Sequence, residues 1–204
     1  MLTKFIKGVL GGICIGIGGA VYLSIGNPIV GSLIFSIGLL LICMNGFKLF
    51  TGSISYIRLE ARSITNIAVT LIGNIVGAWF IGLIFYISRP DMLNHAANIC
   101  FDKLDEGWRI MPLAFMCNIL IFFAVDTFER YTTSYFIRVF TLVMCVMVFI
   151  LSGYEHCIAN VFYFSAVQLF DVKVLGYLIL NVIFNAIGGI CVYRLIRLAK
   201  RVVK

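Results

Sequence analysis

The chain has 204 residues, 62% of them hydrophobic and 12% charged, with mean hydropathy +1.06 and a formal net charge of +7. Water-soluble domains carry about 25% charged residues, so this composition excludes a soluble globular protein and leaves an all-α integral membrane protein.

Six apolar blocks follow in chain order, at residues 5–25, 29–50, 64–87, 110–125, 136–169 and 175–196. A helix needs about 20 residues to cross a bilayer, so the reading is six transmembrane helices. Lys4 and Lys7 precede the first block as in a signal peptide, but no Ala-x-Ala-like site closes it, which favours a retained span. The second block is interrupted by Asn45-Gly46. Residues 89–109 form the longest polar connection and read as a loop. The fifth block is too long for one straight span and too short for two. A break near Ser152, followed by a tilted or re-entrant second half, fits it. Within that break Glu155 and His156 stand side by side in apolar surroundings. A charged side chain at a helix centre costs about 2.5–3.5 kcal/mol on insertion scales, so such residues face protein or a watery cavity.

Basic residues orient the spans. With the amino end inside, one face receives Lys4, Lys7, Arg58, Arg62, Arg130, Arg138, Arg194, Arg197, Lys200, Arg201 and Lys204. The other receives Arg89, Lys103, Arg109 and Lys173. This bias predicts a multi-pass plasma (inner) membrane protein with both termini cytoplasmic. The basic tail caps a membrane helix and calls for no nucleic acid. Seven scattered cysteines without a Cys-x-x-Cys pair read as apolar packing; no metal site or cofactor is implied.

Two pairs of words recur in order. Asn45-Gly46-Phe47-Lys48 matches Ser152-Gly153-Tyr154-Glu155 at an offset of 107, and Asn74-Ile75-Val76-Gly77 matches Asn185-Ala186-Ile187-Gly188 at 111. Two three-helix halves, about 1–100 and 101–204, then form one channel domain. An odd number of crossings per half inverts the second, and broken helices at matching positions point to a site near the midplane. Lys48 and Glu155 occupy matching places, which suggests a buried pair across the pseudo-twofold axis.

The word Ser152-Gly153-Tyr154-Glu155-His156-Cys157-Ile158-Ala159-Asn160 resembles the Ser-Gly-Phe-Glu-His-x-Ile-Ala-Asn element of the formate/nitrite transporter family, and Leu49-Phe50-Thr51 resembles its Leu-Phe-Thr loop. The resemblance implies an aquaporin-like protomer in a homopentamer. By position it implies a cytoplasmic constriction of Phe35, Leu39 and Phe149 and an outer one of Leu49, Phe50 and Ile121. Thr51, Lys103, Asn118 and His156 would be the polar groups of the pathway, with Glu155 bracing His156. The chain departs from the pattern in three ways. The family's amino-terminal cytoplasmic helix is absent before the first block, Lys48 replaces an acidic or small residue, and no proline follows Asn160 closely.

The expected partners are therefore a small monovalent anion (formate, nitrite, hydrosulfide or a short carboxylate), a proton and the lipid bilayer. An anion is costly to desolvate while its neutral acid is not, so passage as the acid, or with a proton, is expected. His156 is the intramembrane side chain whose ordinary titration lies nearest neutrality, which suits a proton relay. A neutral-solute channel of the water or ammonia type, or a non-transporting scaffold, are the competing readings. No nucleophile–base–orienter set appears, so an enzyme is not expected.

Overall fold

The computed structural model describes residues 1–131 and 134–202; Lys204 and the side chain of Arg201, both counted above among the basic residues, lie outside that description. Nine α-helices are described: α1 (Leu2–Ser24), α2 (Pro28–Asn45), α3 (Phe50–Ile54), α4 (Ala61–Ser88), α5 (Leu93–Asp105), α6 (Ile110–Asp126), α7 (Tyr135–Leu151), α8 (Cys157–Ala166) and α9 (Val172–Val202). α1, α2, α4, the stretch Gly107–Arg130 around α6, and α9 are long and apolar enough to cross a membrane. The second and fifth blocks are each split, into α2 and α3 and into α7 and α8. Outward faces are apolar, with Ile72, Trp79, Phe80 and Ile84 exposed on α4 and Phe136 and Phe140 on α7, as lipid contact requires.

α1 and α4 run side by side in the same direction, Gly8 against Thr70 and Gly16 against Ile81, and Arg89 donates to the Ser24 hydroxyl at 3.3 Å where both end. α6 and α9 pair likewise, through Phe115 against Gly188 and Asn118 against Gly189. Both ends of the described chain consequently lie on one face, here the near face. The 89–109 connection lies on the far face. Small residues let the α1–α4 backbones touch: a Cβ on Gly77 would stand 2.1 Å from the Val9 carbonyl oxygen. Gly77→Ala is therefore expected to force the helices apart and cost about 1–3 kcal/mol. Gly176→Ala, where a Cβ meets nothing within 4 Å, should be neutral or slightly stabilising. Thermal unfolding of the two variants in detergent checks the contrast.

The two breaks are built alike. Gly46 (φ 62°) ends α2 and Gly153 (φ 66°) ends the helical course of α7, both in the left-handed region that glycine adopts without penalty. The next N–H then reaches back five residues, Phe47 to the Ile42 carbonyl at 3.0 Å and Tyr154 to the Phe149 carbonyl at 2.9 Å, a standard closure of a helix end. Asn74 completes the first break. Its amide donates to the carbonyls of Gly8 (2.7 Å) and Lys48 (2.8 Å), and its oxygen accepts from the Phe50 N–H (2.7 Å) that opens α3. Asn185 repeats this, donating to the carbonyls of Ala114 (2.7 Å) and Glu155 (2.9 Å) and accepting from the Cys157 N–H (3.0 Å) that opens α8. α3 runs from the middle toward the near face and α8 from the middle toward the far face.

The polar connection, which the sequence pattern predicts as a loop, holds a helix. Ala96, Cys100 and Leu104 recur every fourth residue and are buried along one side of α5, which packs on α8 and α9. That burial holds the helix and fixes the position of Lys103.

Candidate functional site

Two cavities open toward opposite faces. The far cavity, about 250 Å³, is lined by residues that include Phe35, Phe149, Lys103, Glu106, Glu155 and His156. The near cavity, about 190 Å³, is lined by residues that include Lys48, Leu49, Gly52, Tyr56, Glu129 and Arg130. Between them lie buried side chains of Leu39, Phe50, Thr51 and Ile121.

His156 sits in extended backbone (φ −101°, ψ 115°) as the residue before α8, and its Nδ1 accepts the Ala159 N–H at 3.2 Å. A ring nitrogen that accepts carries no proton, so the neutral imidazole holds its hydrogen on Nε2. Nε2 lies 3.0 Å from the Thr51 hydroxyl oxygen and donates to it. Thr51 stands in the first turn of α3, so this bond joins the two half-helices. Phe149 stacks along the imidazole with ring centroids 6.0 Å apart, and Phe35 meets Phe149 edge-on at 6.0 Å. Gaining a second proton would displace the Ala159 bond and set a positive charge at a helix start, where the backbone dipoles oppose it.

Beside this pair lies a buried ionic cluster. Lys103 Nζ, on α5, meets both Glu155 carboxylate oxygens at 2.6 and 2.8 Å, and the ammonium stands 5.5 Å from the Tyr163 ring centroid. Asn160 donates to Glu155 Oε2 at 2.6 Å and to Asn181 Oδ1 at 2.8 Å, and Asn181 donates to the Glu155 backbone carbonyl at 2.8 Å.

Against known proteins, the family model described as formate/nitrite transporter matches residues 1–199. The chain belongs to the formate/nitrite transporter family. It is 30% identical to the formate channel FocA of Haemophilus influenzae over 189 residues, covering 78% of this chain and 64% of that one. To the formate channel FocB of Escherichia coli it is 27% identical, covering 79% and 65%. To the nitrite transporter NirC of Salmonella typhimurium it is 26% identical, covering 80% and 68%. The matched region thus spans about two thirds of the length of these relatives, slightly less for the two formate channels. Among solved structures, a pentameric formate channel with formate bound superposes with a TM-score of 0.87 at 25% identity, covering 100% of this chain and 98% of that one. An FNT family ion channel superposes at 0.84 with 22% identity, a likeness of fold.

Within this family fold, several expectations for single residues need correction. Phe35 and Phe149 line the far cavity and Leu49 the near one, the reverse of the sides expected with cytoplasmic termini. The reason is chain direction: α2 descends from the far face, so Phe35 comes before Leu49 on the way down. Glu155 does not brace His156. Its carboxylate holds Lys103 and Asn160, while the imidazole is held by Ala159 and Thr51. Nor does Glu155 meet Lys48, which lines the opposite cavity. Asn118 is buried between α6 and α9, donating to the Asn185 carbonyl at 2.7 Å, and is absent from the lining of both cavities. Asn160, Asn181 and Tyr163 do bear on the site and were missed. A signal was there for two of them: Asn160 closes the fifth-span word, and Asn181 lies four residues before Asn185, on the same helix face.

Proposed function

We propose that this protein passes small monovalent anions of the formate and nitrite kind across a cell membrane, and that the anion crosses the narrow middle as its neutral acid or together with a proton. The observation that carries the reading is the Thr51–His156 hydrogen bond, which ties His156 in the lining of the far cavity to buried Thr51, whose neighbour Gly52 lines the near one. The buried apolar side chains of Phe35, Leu39, Leu49, Phe50, Ile121 and Phe149 form the proposed sleeve around the path. A bare anion loses most of its hydration in such a sleeve, whereas a neutral acid loses little. With Nε2–H given to Thr51, the Thr51 hydroxyl hydrogen is the donor open to an oxygen or sulfur atom in transit, and Nε2–H becomes a second donor when that atom displaces the Thr51 bond. Because Nδ1 is engaged by the backbone, His156 acts as a hydrogen-bond donor and not as a proton store; the proton travels with the substrate. Lys103 and Glu155 position the 152–156 link and leave the far cavity with no free ammonium.

The near face, which collects the basic residues, is the cytoplasmic one in this reading, and both ends of the described chain lie there. Assembly as a homopentamer, each protomer with its own pathway, follows the likeness to the pentameric formate channel. Hydrosulfide and short carboxylates fit the same donors.

Flux measured in proteoliposomes with formate, nitrite and hydrosulfide, beside stopped-flow swelling with uncharged solutes, tests the reading; anion flux no greater than in empty vesicles would remove it. His156→Asn keeps an oxygen that can cap α8 but shortens the reach to Thr51. It is expected to lower formate flux about tenfold or more at every pH while keeping the shape of the pH profile. A changed shape would make the imidazole a proton store after all.

A further inference from the structure

The two cavities differ in charge. The near cavity presents Lys48 and Arg130 against the single carboxylate of Glu129. The far cavity presents Asp102, Glu106 and Glu155 against Lys103 alone, and Lys103 is spent on Glu155 through both carboxylate oxygens. That leaves Asp102, exposed at the rim, and Glu106, half-buried, as carboxyls without an ion pair among the described residues, at the entrance to a pathway for anions.

Glu106 follows α5 and precedes the fourth span, outside every membrane-crossing stretch. Its surroundings are specific. From α5 it faces Asp102 and Lys103, and Asp105 beside it is drawn off toward Lys173 of α9 at 3.8 Å. From the start of the fourth span it feels Arg109, and from the 152–156 link Glu155 and His156. From α1 and α8 come the rings of Tyr22 and Tyr163, and from α9 the Tyr177 hydroxyl donates to Oε2 at a long 3.4 Å. Burial pushes the Glu106 carboxyl up to about 7, and the Glu155 carboxylate adds to the push while Lys103, Tyr177 and Arg109 oppose it.

We propose that Glu106 is a proton-operated electrostatic gate of the far cavity, repelling small anions when ionised and admitting them when protonated. Water supplies and receives the proton, and no bond to substrate forms. Among the described residues lining the near cavity, the single carboxylate, Glu129, stands against Lys48 and Arg130, so the control is one-sided: alkaline conditions on the far face restrain entry there without blocking the middle of the pathway. A cleft lined by one sign of charge changes local ion concentration by about tenfold or more, which sets the size of the effect.

This inference rests on the anion-channel reading, and the test separates the two. Equilibrium exchange of radiolabelled formate is measured in proteoliposomes at equal pH on both sides, so that mixed insertion does not matter, from about pH 5.5 to 8.5. The ratio of Glu106→Gln to wild-type exchange is expected to be near one at the acid end. It should rise to about tenfold at the alkaline end, with a midpoint at about pH 7, where the Glu106 carboxyl titrates. Raising salt to about 0.5 M should shrink the alkaline ratio, which a purely structural role of Glu106 would not predict. Glu106→Asp, which keeps the carboxyl, should follow the wild type. A ratio independent of pH overturns the gate, and so does a Glu106→Gln protein that is inactive at every pH while Glu106→Asp is active. Wild-type protein that exchanges no formate removes instead the anion-channel reading, and the gate falls with it.

Discussion

Replacing Lys103 with methionine is expected to destabilise the protein by about 3–5 kcal/mol, the range for removing one partner of a buried ion pair. The Glu155 side chain is only 2% exposed and would be left with Asn160 and Tyr177 as hydrogen-bond partners but no counter-charge. Lys103 is 15% exposed and borders the far cavity, so the converse change, Glu155→Gln, leaves an ammonium that can turn toward water. Its cost should be smaller, and the glutamine carbonyl can still accept from Asn160. The double variant Lys103→Met/Glu155→Gln should recover most of the loss, because it leaves no uncompensated charge. A cycle of four melting curves on protein purified in detergent reads the coupling directly. A double variant no more stable than Lys103→Met alone would mean that the pair matters for something other than charge compensation. The pair also sets the path of the 152–156 link, so formate flux in Lys103→Met should fall more than its stability alone accounts for.

Much of this architecture was legible in the order of the residues. Glycine followed by an aromatic and a charge in the middle of an apolar block marks a helix that stops, since left-handed backbone and unpaired carbonyls need a protein-lined place in a membrane. Gly46 and Gly153 do stand at the two breaks, and the paired words at Asn74 and Asn185 turn out to be the same three-bond clasp used twice. The internal repeat was readable because its purpose is backbone satisfaction, which leaves a compact residue signature.

Other features were misread for physical reasons. Matching residues of an inverted repeat are exchanged by an axis lying in the membrane plane, so they belong to opposite mouths. That is why Lys48 and Glu155 do not meet. His156, in extended backbone directly after Glu155, turns its side chain away from that of Glu155, so one reaches Lys103 and the other Thr51. The reversed constrictions could have been avoided by following chain direction through α2. α5 was hidden because charges at Asp102, Lys103, Asp105 and Glu106 mask a short apolar stripe of Ala96, Cys100 and Leu104. No pattern within the sequence could have said that Lys103 closes on a residue 52 positions away.

Asn185→Ala is expected to reduce stability by about 2–4 kcal/mol and to abolish most transport, and Asn74→Ala to do nearly the same. Three groups lose their partner in each case, but they are not equal. The carbonyls of Gly8 and Ala114 lie inside helices, where intrahelical donors remain, and the Glu155 carbonyl keeps Asn181. The N–H groups of Cys157 and Phe50 are different. They open half-helices, where a backbone N–H has no partner within the helix, and both residues are buried. Leaving such a donor unpaired in an apolar interior costs about 1–3 kcal/mol, more than an average side-chain bond between membrane helices contributes. Asn185→Asp supplies an acceptor for Cys157 but no donors, so it should fall between alanine and wild type. The functional loss follows from where these helix starts lie. Thr51 comes one residue after Phe50, and His156 one residue before Cys157, so each asparagine holds one end of the 3.0 Å bond between them. Either substitution frees one end, and after that the other end has nothing left to meet. The effects on flux of the two single variants should therefore not add in the double variant, whereas variants acting on independent parts of the pathway would multiply. Fully additive losses would show that the two clasps serve separate structures, and that the bond between the half-helices is not the point at which they join.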